Sequence, residues 1–442
     1  MHGRRAALRW IGAAAVIGLL LTYCTDRPAS KLALEWESSD VVARTDEQRT
    51  SALLLLGFGV AADRSPLEAG QSRARDFDSW LASNGPRSRL PYKSSQTHRD
   101  AYPRPDWSIP PSEWCVPGPT SDCLAWLKLN RQSVEQFAVE YAPLLNRYKE
   151  LLLPLRDFGQ ILPPRRHAPN EDFDAVMDTA ALHLALTSLK LLDGDTARAL
   201  VDLHRVVQFQ RAFLRRSASH WHRVFAIEMY RASLFTVAEW VRHQPGTAVE
   251  LAAIVKPLES AEIDVSRLVQ DAYRHTGSLV ESLCNGVQWH LGCEQVVGLF
   301  VHEQALRNWF AQEFAAQARE SLSARQALAA QKSPQHSLAR DHAVATGYNA
   351  GGIWLAHSIK LPDYIQYAVR GYDLDCLSRL VLARLGIAAF QRDSAAVRAF
   401  LWSSAPRDPY TDEPLALDGS AMSISCTAHG FHASEGRISI RL

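Results

Sequence analysis

The sequence predicts a mainly α-helical protein, an antiparallel array of helical hairpins closed by a small C-terminal β hairpin or meander. Three observations carry this. From Ser121 onward apolar residues recur every three or four positions, the period of a helix with one buried face. The turn Asp193-Gly194-Asp195 joins two such runs and forces a reversal between them. Near the end, Leu415 to Leu417, Met422 to Thr427 and Arg437 to Leu442 alternate apolar and polar residues, the two-residue period of half-buried strands.

Residues 1–30 read as a delivery and anchoring segment. Arg4, Arg5 and Arg9 precede an uncharged apolar run from Trp10 to Cys24, and Thr25, Asp26 and Arg27 follow it. Basic, apolar and polar blocks in that order make a secretory signal, and the arginines hold the front end on the cytoplasmic side. The run is about 15 residues long, against roughly 20 for a comfortable span. Ala6 to Leu8 extend it if Arg9 snorkels. The ending Leu21-Thr22-Tyr23-Cys24 resembles a bacterial lipobox, with Tyr23 where that motif has a small residue, and would make Cys24 the lipidated residue. An uncleaved anchor is the first expectation, lipidation at Cys24 the second and release the third. The expected partner of this segment is the inner membrane, with the bulk of the chain in the periplasm.

Residues 31–120 should hold N-terminal helices and a long loop. The block Ala52 to Ala62 is too short to span a membrane and reads as a buried first helix, followed after Pro66 by a second around Arg73 to Leu81. Eight prolines between Asn84 and Pro119 forbid regular structure there, so a loop laid over the surface is expected.

Residues 121–345 carry the helical-hairpin pattern. Ser121 and Asp122 offer an N-cap to a helix bearing Leu124, Leu127, Phe137 and Tyr141. Leu144 to Leu155 follows, stopped by Pro163-Pro164. The best-defined hairpin is Phe173 to Leu192 with Thr196 to Arg216, the second helix presenting Ala197, Leu200, Val201, Val207 and Leu214. Trp221 to His243 ends at Pro245-Gly246, and short turns make the three helices antiparallel neighbours. Further helices are expected over Ser260 to Leu283 and Glu294 to Gln331, with Ala315 to Ala330 solvated.

Residues 346–442 add C-terminal helices and the small β element. Pro362 opens a helix. Asp375 to Arg392 is amphipathic, and Asp373 and Asp375 suit its N-terminal end, where negative charge is favoured. Ser394 to Trp402 is short, and Asp408 to Leu415 makes a turn into the strands.

Apart from Cys24 there are six cysteines: Cys115, Cys123, Cys284, Cys293, Cys376 and Cys426. The first two enclose a Pro-Gly-Pro turn and the next two enclose Asn-Gly and Gly signals, so each pair should close a short loop. By elimination Cys376 pairs with Cys426. A metal site is the competing reading, but no C-x-x-C occurs, and exported cysteines generally pair.

Leu184 to Gln208 resembles a tetratricopeptide-like helix pair, with Ala185 and Ala199 where helices approach closely. The chain as a whole resembles a group of proteobacterial envelope proteins. The residues that carry this are Leu53 to Val60 (LLLLGFGV), the Cys115–Cys123 loop, Asn349 to Gly351 with Arg370 to Asp375, and Asp408 to Leu415. The resemblance implies an envelope location and brings no activity with it.

Nothing in the motifs specifies a reaction. There is no G-x-S-x-G elbow, Walker loop or C-x-x-C-H, and His302-Glu303 lacks the second histidine of a zinc motif. Of sixteen histidines, His220 with His222 and His429 with His432 lie closest, and residues two apart on a helix face different ways. The stretch Gly347 to Gly352, flanked by His342 and His357, reads as a sharp connection. No metal and no cofactor is expected. Lys plus Arg (48) balances Asp plus Glu (47), so no field attracts nucleic acid. Arg205, Arg211, Arg215, Arg216 and Arg223, among Phe209, Phe213, Trp221 and Tyr230, mark a candidate surface for a protein partner or anionic headgroups. The plainer alternative places the arginines in solvent and the aromatics in the core. The expected function is a membrane-tethered periplasmic interaction or assembly factor without catalysis, its partner another envelope protein. The alternatives are an envelope hydrolase acting on peptidoglycan, lipid or glycan, and a small-molecule binding module.

Overall fold

A computed structural model describes residues 28–38, 46–84, 114–115, 121–153, 172–216, 220–285, 303–332, 364–390, 394–419, 422–430 and 436–442. The apolar run Trp10 to Cys24, most of the proline-rich loop, Cys293, and the Gly347 to Gly352 stretch with His342 and His357 lie outside them.

The described chain is mainly helical, packed as adjacent helix pairs, with a small three-stranded antiparallel sheet at its end. The N-terminal helices are α1 (Lys31–Ser38), α2 (Asp46–Leu56) and α3 (Pro66–Asn84). In the α2–α3 hairpin a Cβ on Gly57 would overlap the Pro66 carbonyl, and one on Gly70 the Leu53 carbonyl, so glycine lets the two backbones touch. Then come α4 (Cys123–Leu129), α5 (Arg131–Glu140) and α6 (Ala142–Leu151). The single helix expected after Ser121 is broken at Asn130, whose side-chain amide donates to Trp126 O and ends the ladder. Asp122 does cap α4, its Oδ1 accepting from Ala125 N at 3.1 Å.

The central hairpins are α7 (Phe173–Leu192), α8 (Thr196–Arg216) and α9 (His220–His243). Gly194, at φ 85°, makes the turn between α7 and α8 that a side chain would resist. The buried stripe of α8 runs through Ala199, Leu203, Val206, Val207 and Phe213, while Ala197 and Val201 face outward. Of the apolar set expected there, Val207 and Leu214 are in the core and Leu200 packs against it, while Ala197 and Val201 are not. By length and composition α7 alone among the described helices could cross a membrane, and 67% of that stretch is buried in the core.

Beyond a short 3₁₀ turn follow α10 (Ala248–Ile254), α11 (Ser260–Ile263), α12 (Ser266–Asn285), α13 (Glu303–Glu320) and α14 (Ala324–Lys332). The expected helix from Ser260 splits at Asp264, which is extended and accepts from Ser266 N to start α12 afresh. Residues 324 and 327, expected in a solvated stretch, are buried.

α15 (Ile365–Ile387) runs the helix expected after Pro362 and the one expected from Asp375 together as one, and is apolar on most sides, as a helix surrounded by others must be. α9 packs along it, and its two ends join different cores. Tyr364 to Val369 pack with α1, α12 and α13, whereas Leu374 to Ile387 join the main core of α7, α8 and α9. α16 (Ser394–Ser403) precedes the sheet β1 (Ala416–Asp418), β2 (Ser423–Thr427) and β3 (Arg437–Arg441), ordered β1-β2-β3. Ile424 opposes Ile440 and Cys426 opposes Ile438, so one buried face lies against α15.

Asp373 and Asp375 do not cap the start of a helix. They lie inside α15, buried, and act as anchors. Asp373 accepts from the Tyr410 hydroxyl (2.8 Å) and from the His429 and Gly430 amides. Asp375 accepts from Leu258 N (2.9 Å) and Arg379 Nε (2.8 Å). Burial pushes both carboxyls up, and these donors oppose it.

Candidate functional site

Of the five arginines expected on one surface, Arg211 and Arg223 turn inward, while Arg215 stays exposed with its guanidinium tied to two acids. Arg211 grips the fully buried Glu262 with two bonds, Nε to Oε1 at 2.8 Å and Nη2 to Oε2 at 2.6 Å. It also donates to the Pro257 carbonyl, and Arg215 reaches both Glu259 and Glu262. Together they staple the 256–262 segment to α8. Arg223 is 2% exposed, donates to Leu214 O, and has Nε and Nη2 without partners. Burial lowers its guanidinium to about 10. Arg205 remains exposed, and the side chain of Arg216 lies outside the described residues. Phe209, Phe213 and Tyr230 are core residues, and Trp221 is 53% exposed. The expected basic patch is thus in part an internal clamp: Glu262 on the neighbouring segment pairs Arg211 and Arg215, and Arg223 is buried.

Two of the expected bridges are present, Cys115–Cys123 and Cys376–Cys426. Cys284 stands in the last turn of α12, with its side chain outside the described residues.

The most site-like feature is a chamber of about 310 Å³ under the first bridge. α7 supplies Met177, Ala180, Ala181, Leu184, Ala185 and Ser188; α8 supplies Gln210; α9 supplies Glu228, Met229, Arg231, Ala232, Thr236 and Glu239. The alanines on α7 and α9 leave the space, and α4 with Trp114 and Cys115 covers it. Ala185, expected where helices approach closely, lines this chamber. Trp114 stacks on Trp126 (ring centroids 5.9 Å) and meets Phe137 at 5.1 Å, which fixes the cover.

Most polar atoms of the lining are engaged. Ser188 Oγ accepts from Trp240 Nε1, the Thr236 hydroxyl donates to Ala232 O, and Glu228 pairs with Arg231 at 2.9 Å. Glu239 accepts from Leu124 N at 2.7 Å. Gln210 is the exception: it is 2% exposed, and its Oε1 has no partner.

At one edge of the chamber Asp122, Glu239 and His243 place ligand-type atoms within 4.8 Å of one another. The Arg242 guanidinium already lies 3.3 Å from Asp122 and 3.6 Å from Glu239, and supplies the positive charge there. Burial, aided by the Asp122 carboxylate, raises the Glu239 carboxyl to about 7, against the Leu124 amide and Arg242. Sequence reading did not single out Gln210 or Glu239. A polar residue every turn or so on a helix is unremarkable until the neighbouring helix shows that it faces inward. His183 is another such residue, buried beside Tyr148 (5.5 Å between rings) and lowered to about 4 by burial.

Comparison with protein-family models, curated proteins and solved structures finds no match to this chain.

Proposed function

We propose that this chain is an envelope protein, tethered at the inner membrane by residues 1–30, whose periplasmic body works by binding and not by turnover. The observation that carries the reading is the state of the chamber lining. Its walls are mostly apolar, and its hydroxyls and acids are committed to partners within α9 or on neighbouring helices. Groups fixed in that way shape and seal a ligand site. A nucleophile with a free base at hydrogen-bond reach would have argued for chemistry. The two bridges suit an oxidising compartment. An envelope protein partner would meet the outward side of α8, where Val201 and Arg205 are exposed.

The hydrolase alternative has one observation in its favour, the Glu239 carboxyl held near neutrality beside Asp122 and His243. Two measurements on the full-length chain test the proposal. Protease added to cells with a permeabilised outer membrane should digest the body, and membrane fractions should retain the front segment. The purified chain should leave peptidoglycan, phospholipid and glycan substrates intact. Protection of the body from the protease, or turnover abolished by Glu239→Gln, would contradict it.

A further inference from the structure

We infer that the chamber takes one small uncharged amphiphile, an apolar body carrying a hydroxyl that bonds to Gln210. This rests on the binding reading above and names the chemistry of what is bound. At about 310 Å³ the space stands at the lower end of small-molecule pockets, roughly 300–1,000 Å³. Met177, Leu184, Met229 and Trp126 offer apolar and polarizable contact to a chain or ring. Among the lining side chains Gln210 has the unmet demand: it is 2% exposed, and its Oε1 makes no hydrogen bond within the protein, so the amide would turn about its last torsion to present that oxygen to a ligand. Leaving such an acceptor unpaired is costly, and a donor from the ligand would recover that cost. A hydroxyl serves whichever way the amide is turned, since it both donates and accepts.

Charge selects against acids and amines. The lining's one cation, Arg231, is held by Glu228, so an anionic ligand would meet no free positive group and would face Glu239. An ammonium would meet Glu239 with its Oε1 already bonded to Leu124 N and with Arg242 alongside. Either ion would lose its hydration for an incomplete partner, and burying an unpaired charge is far costlier than burying a hydroxyl.

The experiment is photolabelling of the full-length, oxidised chain in lipid nanodiscs. The probe is a decanol bearing a mid-chain diazirine, and its companion is the same molecule without the hydroxyl. Labelled peptides are located by mass spectrometry. The alcohol should label residues of α4, α7 and α9 that line the chamber. Excess 1-decanol should compete, while decanoate and decylammonium should not. Gln210→Leu should cut the alcohol's labelling by about five- to tenfold, the worth of one buried hydrogen bond, and leave the hydroxyl-free probe unchanged. Ala185→Trp, which fills the space, should remove labelling by both, with helicity and unfolding midpoint checked for each variant. If neither probe labels the chamber, the binding reading itself fails. If the chamber is labelled but decanoate or decylammonium competes as well as decanol, or Gln210→Leu labels like wild type, binding stands and the uncharged hydroxyl ligand is overturned.

Discussion

Burial pushes the Glu239 carboxyl up to about 7 and the His183 imidazole down to about 4, so their contributions to stability run in opposite directions with pH. Folded Glu239 keeps a proton that the unfolded chain releases near 4.5. Its contribution is complete below that value and is lost as pH rises through 7. Unfolded His183 takes a proton near 6.5 that the folded chain refuses until about 4. Its contribution is complete above 6.5 and is lost as pH falls. Between about 4.5 and 6.5 the two slopes cancel. Glu239→Gln should remove one of them, so that the variant gains stability relative to wild type as pH rises from 5 to 6.5. Urea midpoints at several pH values read this, and an unchanged difference between the two proteins would contradict it. Arg223 allows a second test. A buried guanidinium with two unpartnered nitrogens holds little that an apolar side chain of similar length would lose. Arg223→Met should keep or raise the melting temperature, whereas a fall of several degrees would show a partner for this cation.

The hairpin α7–α8 and the strands were readable because local rules agree with the packing: period, turn residue and alternation all point the same way. Three kinds of feature were not readable. Asp373 and Asp375 look like capping acids until Tyr410, His429 and Leu258, distant in sequence, are brought to them. Arg147 looks like a surface base, yet it donates to the carbonyls of Phe58, Val60, Ala61 and Arg64 and fixes the turn after α2. Gln210 is one polar residue on an apolar stripe, and only the cover formed by α4 makes it a site residue. Each depends on long-range contacts for which the local pattern has no signal. Cys115–Cys123 was readable from spacing and Cys376–Cys426 by elimination, and their weight follows from loop length. Replacing Cys376 and Cys426 by serine should cost about 4 kcal/mol, since that bridge closes a 50-residue separation, against about 2.5 kcal/mol for the pair 8 apart. Equal losses in equilibrium unfolding would contradict this ordering. The longer bridge also holds β2 on α15, so its loss should release the sheet first.

Taken whole, the molecule is a helical body in which ion pairs, buried carboxylates and bridges join segments far apart in the chain. α15 runs from one core to the other, and the C-terminal sheet is locked to it by Cys376–Cys426, Asp373 and Tyr410. Such cross-linking suits the proposed envelope location, where cysteines can pair. The proposed compartment and the cover of the chamber both rest on paired cysteines. The most direct test is therefore peptide mass mapping of native material, with free thiols alkylated at the moment of lysis. The account predicts intact Cys115–Cys123 and Cys376–Cys426 peptides, with Cys284 joined to Cys293. Alkylated, unpaired thiols at Cys115, Cys123, Cys376 and Cys426 would contradict it.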